Sequence, residues 1–270
     1  MIVITGDCLS SGHEMLDPGI FKDDFKKLIS LPNEQYHITR LGKIYDLYLK
    51  NDPKYKKIKG KSKWIRDLFS RRWIEDQEHK VSWPYSLEKK LNRPVLNLAQ
   101  EATNFTEMMD LLEESIRIKG VRPTHVIHQI PGHWRVTIKA DAHGHKRRRL
   151  LGPSILFHDT LLNNIRNFFT TPKNEHYLCE EYKKLLKDEN FFNNRIRDGL
   201  RRNKELQDEF GYKTFYILTQ SITKKCMTNE TILNDDLRNF VHEHFECGAD
   251  CAVSQDYTNY MVELVGSVID

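Results

Sequence analysis

Short apolar runs separated by longer amphipathic stretches set the frame of this chain. The runs fall at 2–5 (Ile-Val-Ile-Thr), 95–99, 125–130, 214–219 and 249–254. Each is too short for a helix and is bounded by Gly, Pro or polar residues, so each predicts a buried strand. Between them the apolar positions recur at helical spacing. Phe105, Met108, Met109, Leu112 and Ile116 form the clearest stripe, with Asn104 and Glu107 as an N-terminal capping pair and Gly120 as a stop. Further helices are predicted at 21–31, 62–73, 85–91 and 260–269. The stretch 153–210 reads as a charged, mostly helical insertion ended by Gly211. Strands alternating with helices predict an α/β fold, a three-layer α/β/α sandwich on a mostly parallel five-stranded sheet. The whole of 1–270 reads as a single domain, with a basic insertion near 50–75 and the helical one at 153–210.

Composition narrows the class. The chain has 270 residues, is 39% hydrophobic and 30% charged, and has five cysteines. An odd number of cysteines in a chain this long argues for free thiols rather than a disulfide framework. No apolar stretch reaches the ~20 residues of a membrane span, and the first residues already read as a strand rather than a signal peptide. These features predict a cytoplasmic protein with no membrane contact. The formal net charge of +4 is mild but unevenly spread. Between Lys54 and Arg72 lie nine basic residues and one acid, Asp67, with Tyr55, Trp64 and Trp73 in or beside the run. A second cluster comprises His143, His145, Lys146, Arg147, Arg148 and Arg149. Both are solvated surface segments or contacts to a polyanion.

The first strand opens into Gly6-Asp7-Cys8-Leu9-Ser10-Ser11-Gly12. A small-residue loop at the carboxyl end of a buried strand is where open α/β sheets place ligands. It presents a thiol, Cys8, beside a carboxylate, Asp7. Further on, Ser82-Trp83-Pro84-Tyr85-Ser86-Leu87 leads through Leu91 to Asn97-Leu98-Ala99-Gln100-Glu101-Ala102-Thr103-Asn104. The third strand ends in Pro131-Gly132-His133-Trp134-Arg135. Near the C-terminus stands Asp256-Tyr257-Thr258-Asn259.

In this order, these pieces resemble the four blocks of the SGNH (GDSL-type) hydrolases. The resemblance implies a flavodoxin-like fold and hydrolysis of an ester or acyl group. It gives Cys8 the place of the nucleophilic serine and Asn259 the place of the catalytic histidine, with Asp256 as its orienting acid. It places the oxyanion donors near Ala102, Asn104 and Gly132. Arg135 stands in the loop that carries the family's oxyanion asparagine, where a guanidinium can clamp an anion.

The departures matter. A thiol is a competent nucleophile, although Asp7 beside it raises its pKa and a following helix N-terminus lowers it. An amide at 259 cannot accept a proton near pH 7. Three readings stay open: a rearranged catalyst, a binding module that uses the same cleft for an anionic ligand or nucleic acid, and a protein that keeps only the fold. In the first, the base comes from His13, His128 or His133. His128 sits inside a strand pattern and reads as core, which leaves His133 as the preferred base. Glu14 is a solvated acid or a partner of His13 or Arg135. Ser10 and Ser11 are poorer nucleophile candidates, being off the family position. His242, Glu243, His244, Cys247 and Cys251 have zinc-ligand chemistry but unsuitable spacing, so no metal site is expected. There is no Gly-Lys-(Ser/Thr) loop and no Gly-x-Gly-x-x-Gly. No cofactor is expected, and the expected partner is a small-molecule or acylated substrate.

Overall fold

The computed structural model describes residues 1–11, 78–100, 103–132, 135–142, 145–151, 182–244 and 255–269. Five strands form one all-parallel sheet: β1 (Ile2–Thr5), β2 (Val95–Asn97), β3 (His125–Ile130), β6 (Lys213–Leu218) and β7 (Ile232–Asn234), in the order β2-β1-β3-β6-β7. Helices pack around it. A separate antiparallel ribbon pairs β4 (Val136–Ala142) with β5 (His145–Leu151). The helices among the described residues include α1 (Cys8–Ser11), α2 (Trp83–Leu91), α3 (Phe105–Arg117), α4 (Glu189–Phe210), α5 (Leu237–His244) and α6 (Gln255–Ile269).

The strand order places a switch point between β1 and β3. β2 lies on one side of β1 and β3 on the other, and open α/β sheets commonly bind ligands at such a switch point. Gly6-Asp7 and Pro131-Gly132 directly follow the carboxyl ends of β1 and β3.

The described chain divides into two compact units. The first comprises 1–7 and 98–238. Its central strands are buried on both faces, which is why they read as continuous apolar runs. Ile2, Val3, Ile4, Val126, Ile127, Ile130, Ile217 and Leu218 are all buried. The α3 stripe is buried along its whole length. Its capping box forms as the sequence predicts, with the Asn104 side chain accepting from the Glu107 N–H at 3.1 Å. α4 lies against α3. Gly199 is the residue that permits this approach, since a Cβ there would stand 2.5 Å from the Phe105 ring. Gly211 ends α4 at φ +74°, a left-handed cap suited to glycine.

The second unit comprises 8–97 and 239–270. Pro84 occupies the first turn of α2, where its missing N–H is no loss. Trp83 and Leu87 are fully buried. α2 packs on α6, with Lys90 and Glu263 paired at 2.6 Å and the Thr258 hydroxyl donating to the Val81 carbonyl at 3.4 Å.

The structure refines four readings of the sequence. The fifth strand of the sheet is Ile232–Asn234, and the one expected at 249–254 lies outside the described residues. A three-residue strand carries too little periodicity to be seen. Within the stretch 153–210, read as charged and mostly helical, Glu189–Phe210 forms one 22-residue helix that precedes β6. The basic cluster at 145–149 lies on β5, one strand of a hairpin that the charge pattern concealed. Finally, α6 begins at Gln255, so Asp256 and Asn259 lie on the helix rather than before it. The helices expected at 21–31 and 62–73, and the basic run between Lys54 and Arg72, lie outside the described residues. Among the described residues no helix is long and apolar enough to cross a membrane.

Candidate functional site

Asp7 stands just past β1 and is 1% exposed. A buried carboxylate needs hydrogen bonds and a counter-charge, and two segments supply them. Gln129, on the penultimate position of β3, donates from Nε2 to Oδ1 at 2.8 Å. Arg135 donates from Nη1 to Oδ2 at 3.0 Å. The same Nη1 lies 3.4 Å from the Thr103 carbonyl oxygen. The Thr103 hydroxyl in turn donates to the Gly6 carbonyl at 2.8 Å, with the Gln100 carbonyl 3.1 Å from the same oxygen. The Gln100 N–H also reaches the Gly6 carbonyl, at 3.1 Å.

The first three sequence blocks therefore meet around the carboxyl ends of β1 and β3. Block one contributes Gly6 and Asp7, block two Gln100 and Thr103, and block three Arg135. Within the second unit, the Asn97 side chain donates to the Ser10 carbonyl at 3.0 Å, a further tie between blocks two and one. Beside this clasp a cleft is lined by Asn104, Phe105, Thr106, Pro131, Gly132, Arg135, Arg195 and Ile196. Arg135 and Arg195 give it positive charge.

The remaining site residues fall as follows. Cys8 is the first residue of α1, a single turn directly after Asp7, and its side chain lies outside the described residues. So do His13, Glu14, Glu101, Ala102, His133 and Trp134. Asn104 is the cap of α3, its side-chain oxygen holding the Glu107 N–H. Gly132 lines the cleft. Arg135 meets Asp7, while Glu14 lies outside the described residues. Asp256 and Asn259 are exposed on the first turn of α6, where the Asn259 oxygen accepts from Gln255 Nε2 at 3.3 Å. Among the described residues no cluster of metal ligands is present. Gln129, Thr103, Thr106 and Arg195 were not singled out from the sequence. For Gln129 the signal was available, since it is an amide beside apolar residues in a strand that reads as buried.

His128 is core, as its strand position predicts. It is fully buried, with Nδ1 2.8 Å from the Thr5 hydroxyl and Nε2 3.0 Å from Asn203 Oδ1. An amide oxygen only accepts, so Nε2 carries the proton and Nδ1 accepts from Thr5. The ring stacks on Tyr216 at 5.3 Å and meets Phe105 edge-on at 5.6 Å. Asn203 completes the network by donating to Tyr216 at 2.8 Å and accepting from Tyr212 at 2.9 Å. Burial pushes both phenols up, keeping them protonated. Burial likewise pushes the imidazole down to about 4 from 6.5, outweighing the Asn203 bond that favours the charged form. The unfolded chain takes up this proton below pH 6.5 and the folded chain does so only near 4. Stability from this group is thus complete above 6.5 and falls as pH drops from 6.5 toward 4, by about 3 kcal/mol in total. Urea unfolding between pH 7 and 4.5 should show that loss. A His128→Gln variant should show a flatter dependence; an unchanged slope would contradict the assignment.

Comparisons with protein-family models, with curated proteins and with solved structures find no match.

Proposed function

We propose that this chain is a divergent relative of the SGNH hydrolases that cleaves an ester or acyl bond with the Cys8 thiol as nucleophile. The observation that supports this most is the clasp of Gly6, Asp7, Thr103 and Arg135. It joins three sequence blocks at the switch point of a 2-1-3-type parallel sheet. In this reading Asp7 is structural. Its two oxygens are taken by Gln129 and Arg135, and it fixes the loop from which Cys8 follows.

The chemistry is that of a thiol acyl transfer. The Cys8 sulfur attacks the carbonyl carbon, the carbon–oxygen bond breaks, and the alcohol leaves with the proton. Water then hydrolyses the thioester, releasing the acid and restoring the thiol. His133, two positions before Arg135 in the chain, is the base in this scheme. The test is turnover of a small activated ester by the wild-type chain, Cys8→Ser and Cys8→Ala.

One observation favours a second reading, a non-catalytic binding module for an anionic ligand or nucleic acid. Asn259 stands where the resemblance needs a proton acceptor, and its amide oxygen is bonded along α6. In this reading polyanion contact runs through Lys54–Arg72 and through Lys146–Arg149 on β5. The chain should then stay on a polyanion column at moderate salt, and replacing Arg147, Arg148 and Arg149 with Gln should release it. Elution of both proteins at low salt would end this reading.

A further inference from the structure

Arg195 has a setting different from that of Arg201 and Arg202 on the same helix, and, unlike the exposed Arg197, which bonds the neutral Asn194 side chain at 3.2 Å, it lines the cleft. Arg201 bonds Asp198 and Glu205, and Arg202 bonds Asp110 and Glu113, each at 2.6–2.9 Å. Arg195 is half-buried, and its hydrogen bond goes to a neutral group, Nη2 donating to the Thr106 hydroxyl at 3.2 Å. Its guanidinium carbon sits 5.6 Å from the Phe191 ring centre. Glu107 and Asp198 favour its charge through space, but both are bonded elsewhere, Glu107 to the Asn104 N–H and Asp198 to Arg201. Burial is the larger influence and pulls the guanidinium below its ordinary value. Arginine stays protonated regardless, so a partly desolvated cation faces the cleft without a hydrogen-bonded anion among the described residues.

The surroundings suit an oxyanion. Arg195 lines the cleft together with Thr106, Gly132 and Arg135. Thr106 lies in the first turn of α3, whose leading N–H groups have no carbonyl partner within the helix. Arg135 is already matched by Asp7, whereas Arg195 has no such match. The planar fork of a guanidinium fits carboxylate or phosphate oxygens in pairs.

We infer that Arg195 recognises an anionic oxygen group, carboxylate or phosphate, on the molecule that enters this cleft. The inference rests on reading the cleft as the substrate site, and narrows the substrate to one that carries an acid group. Arg195 is then a specificity residue and takes no part in bond breaking.

The test is the thermal midpoint of the full chain titrated with inorganic phosphate, and in a second arm with acetate, at constant ionic strength. The wild type is expected to show saturable stabilisation by at least one of the two, and the arm that responds identifies the anion class. Arg195→Gln should need about ten- to a hundredfold more anion for the same shift. Arg195→Lys should fall between, keeping charge without the fork, and Arg201→Gln should behave as wild type. An Arg195→Gln response equal to wild type, or a wild type indifferent to both anions, overturns the inference. If Arg195→Gln does not fold, the Nε–H signal of Arg195 in the wild type decides. It should shift on adding the anion, and a fixed signal overturns the inference. Turnover of a neutral activated ester is measured separately. Anion response through Arg195 without turnover would remove the hydrolase reading alone, whereas turnover without anion response would remove the Arg195 assignment alone.

Discussion

Cys8→Ala is expected to abolish turnover of a small activated ester, a fall of about 10³–10⁴-fold or to the uncatalysed background. The size follows from what a nucleophile does. Without the thiol no acyl intermediate forms, and only positioning and charge around the cleft remain to help water attack. Cys8→Ser should retain part of the wild-type rate if a base is in place, and fall with Cys8→Ala if the wild type depends on the greater acidity of a thiol. The variants also separate nucleophile from scaffold. Unfolding midpoints of the three proteins tell a loss of the nucleophile from a loss of the fold. Equal turnover in all three proteins would remove Cys8 from the chemistry.

The second large effect is on folding. Asp7→Ala should cost about 3–5 kcal/mol, because it leaves the Arg135 guanidinium and the Gln129 amide facing a cavity. Asp7 is 1% exposed and the Arg135 side chain 23%, so water replaces the lost contacts poorly. Removing the cation as well should recover part of the loss. The double variant Asp7→Ala/Arg135→Met is expected to be more stable than the sum of the single changes by about 1–3 kcal/mol. Denaturant midpoints of the four proteins measure this coupling directly. Additive effects would mean that the pair is not the strut described above.

What was legible in the sequence follows physical locality. Ile2–Thr5 and His125–Ile130 read as strands because strands buried on both faces are continuous apolar runs. The α3 stripe and its Asn104–Glu107 cap read correctly because both signals lie within a few residues of each other. Features that failed lack such local signals. Ile232–Asn234 is too short, and β5 is mostly basic, so no alternation marks it. The first turn of α6 carries the buried Tyr257 and Thr258, and Thr258 bonds Val81, which lies far away in the chain. The site divides in the same way. The three blocks were visible as motifs, and Arg135 was picked out as an anion clamp. That its anion is Asp7, and that Gln129 shares the task, depends on the pairing of β1 with β3 across more than a hundred residues. No spacing rule contains that information. Arg195 is hidden for a related reason, since on a helix full of charges nothing in the sequence separates the arginine that lines the cleft from those that do not.

The most direct measurement of the account is capture of the acyl group. The wild-type chain is mixed briefly with an activated ester, quenched in acid and mapped peptide by peptide. The account predicts an acyl mass on the peptide containing Cys8, exceeding that on Cys179, Cys226, Cys247 or Cys251 and absent after denaturation before mixing. Acylation spread evenly over the five cysteines, or none at all, would contradict it.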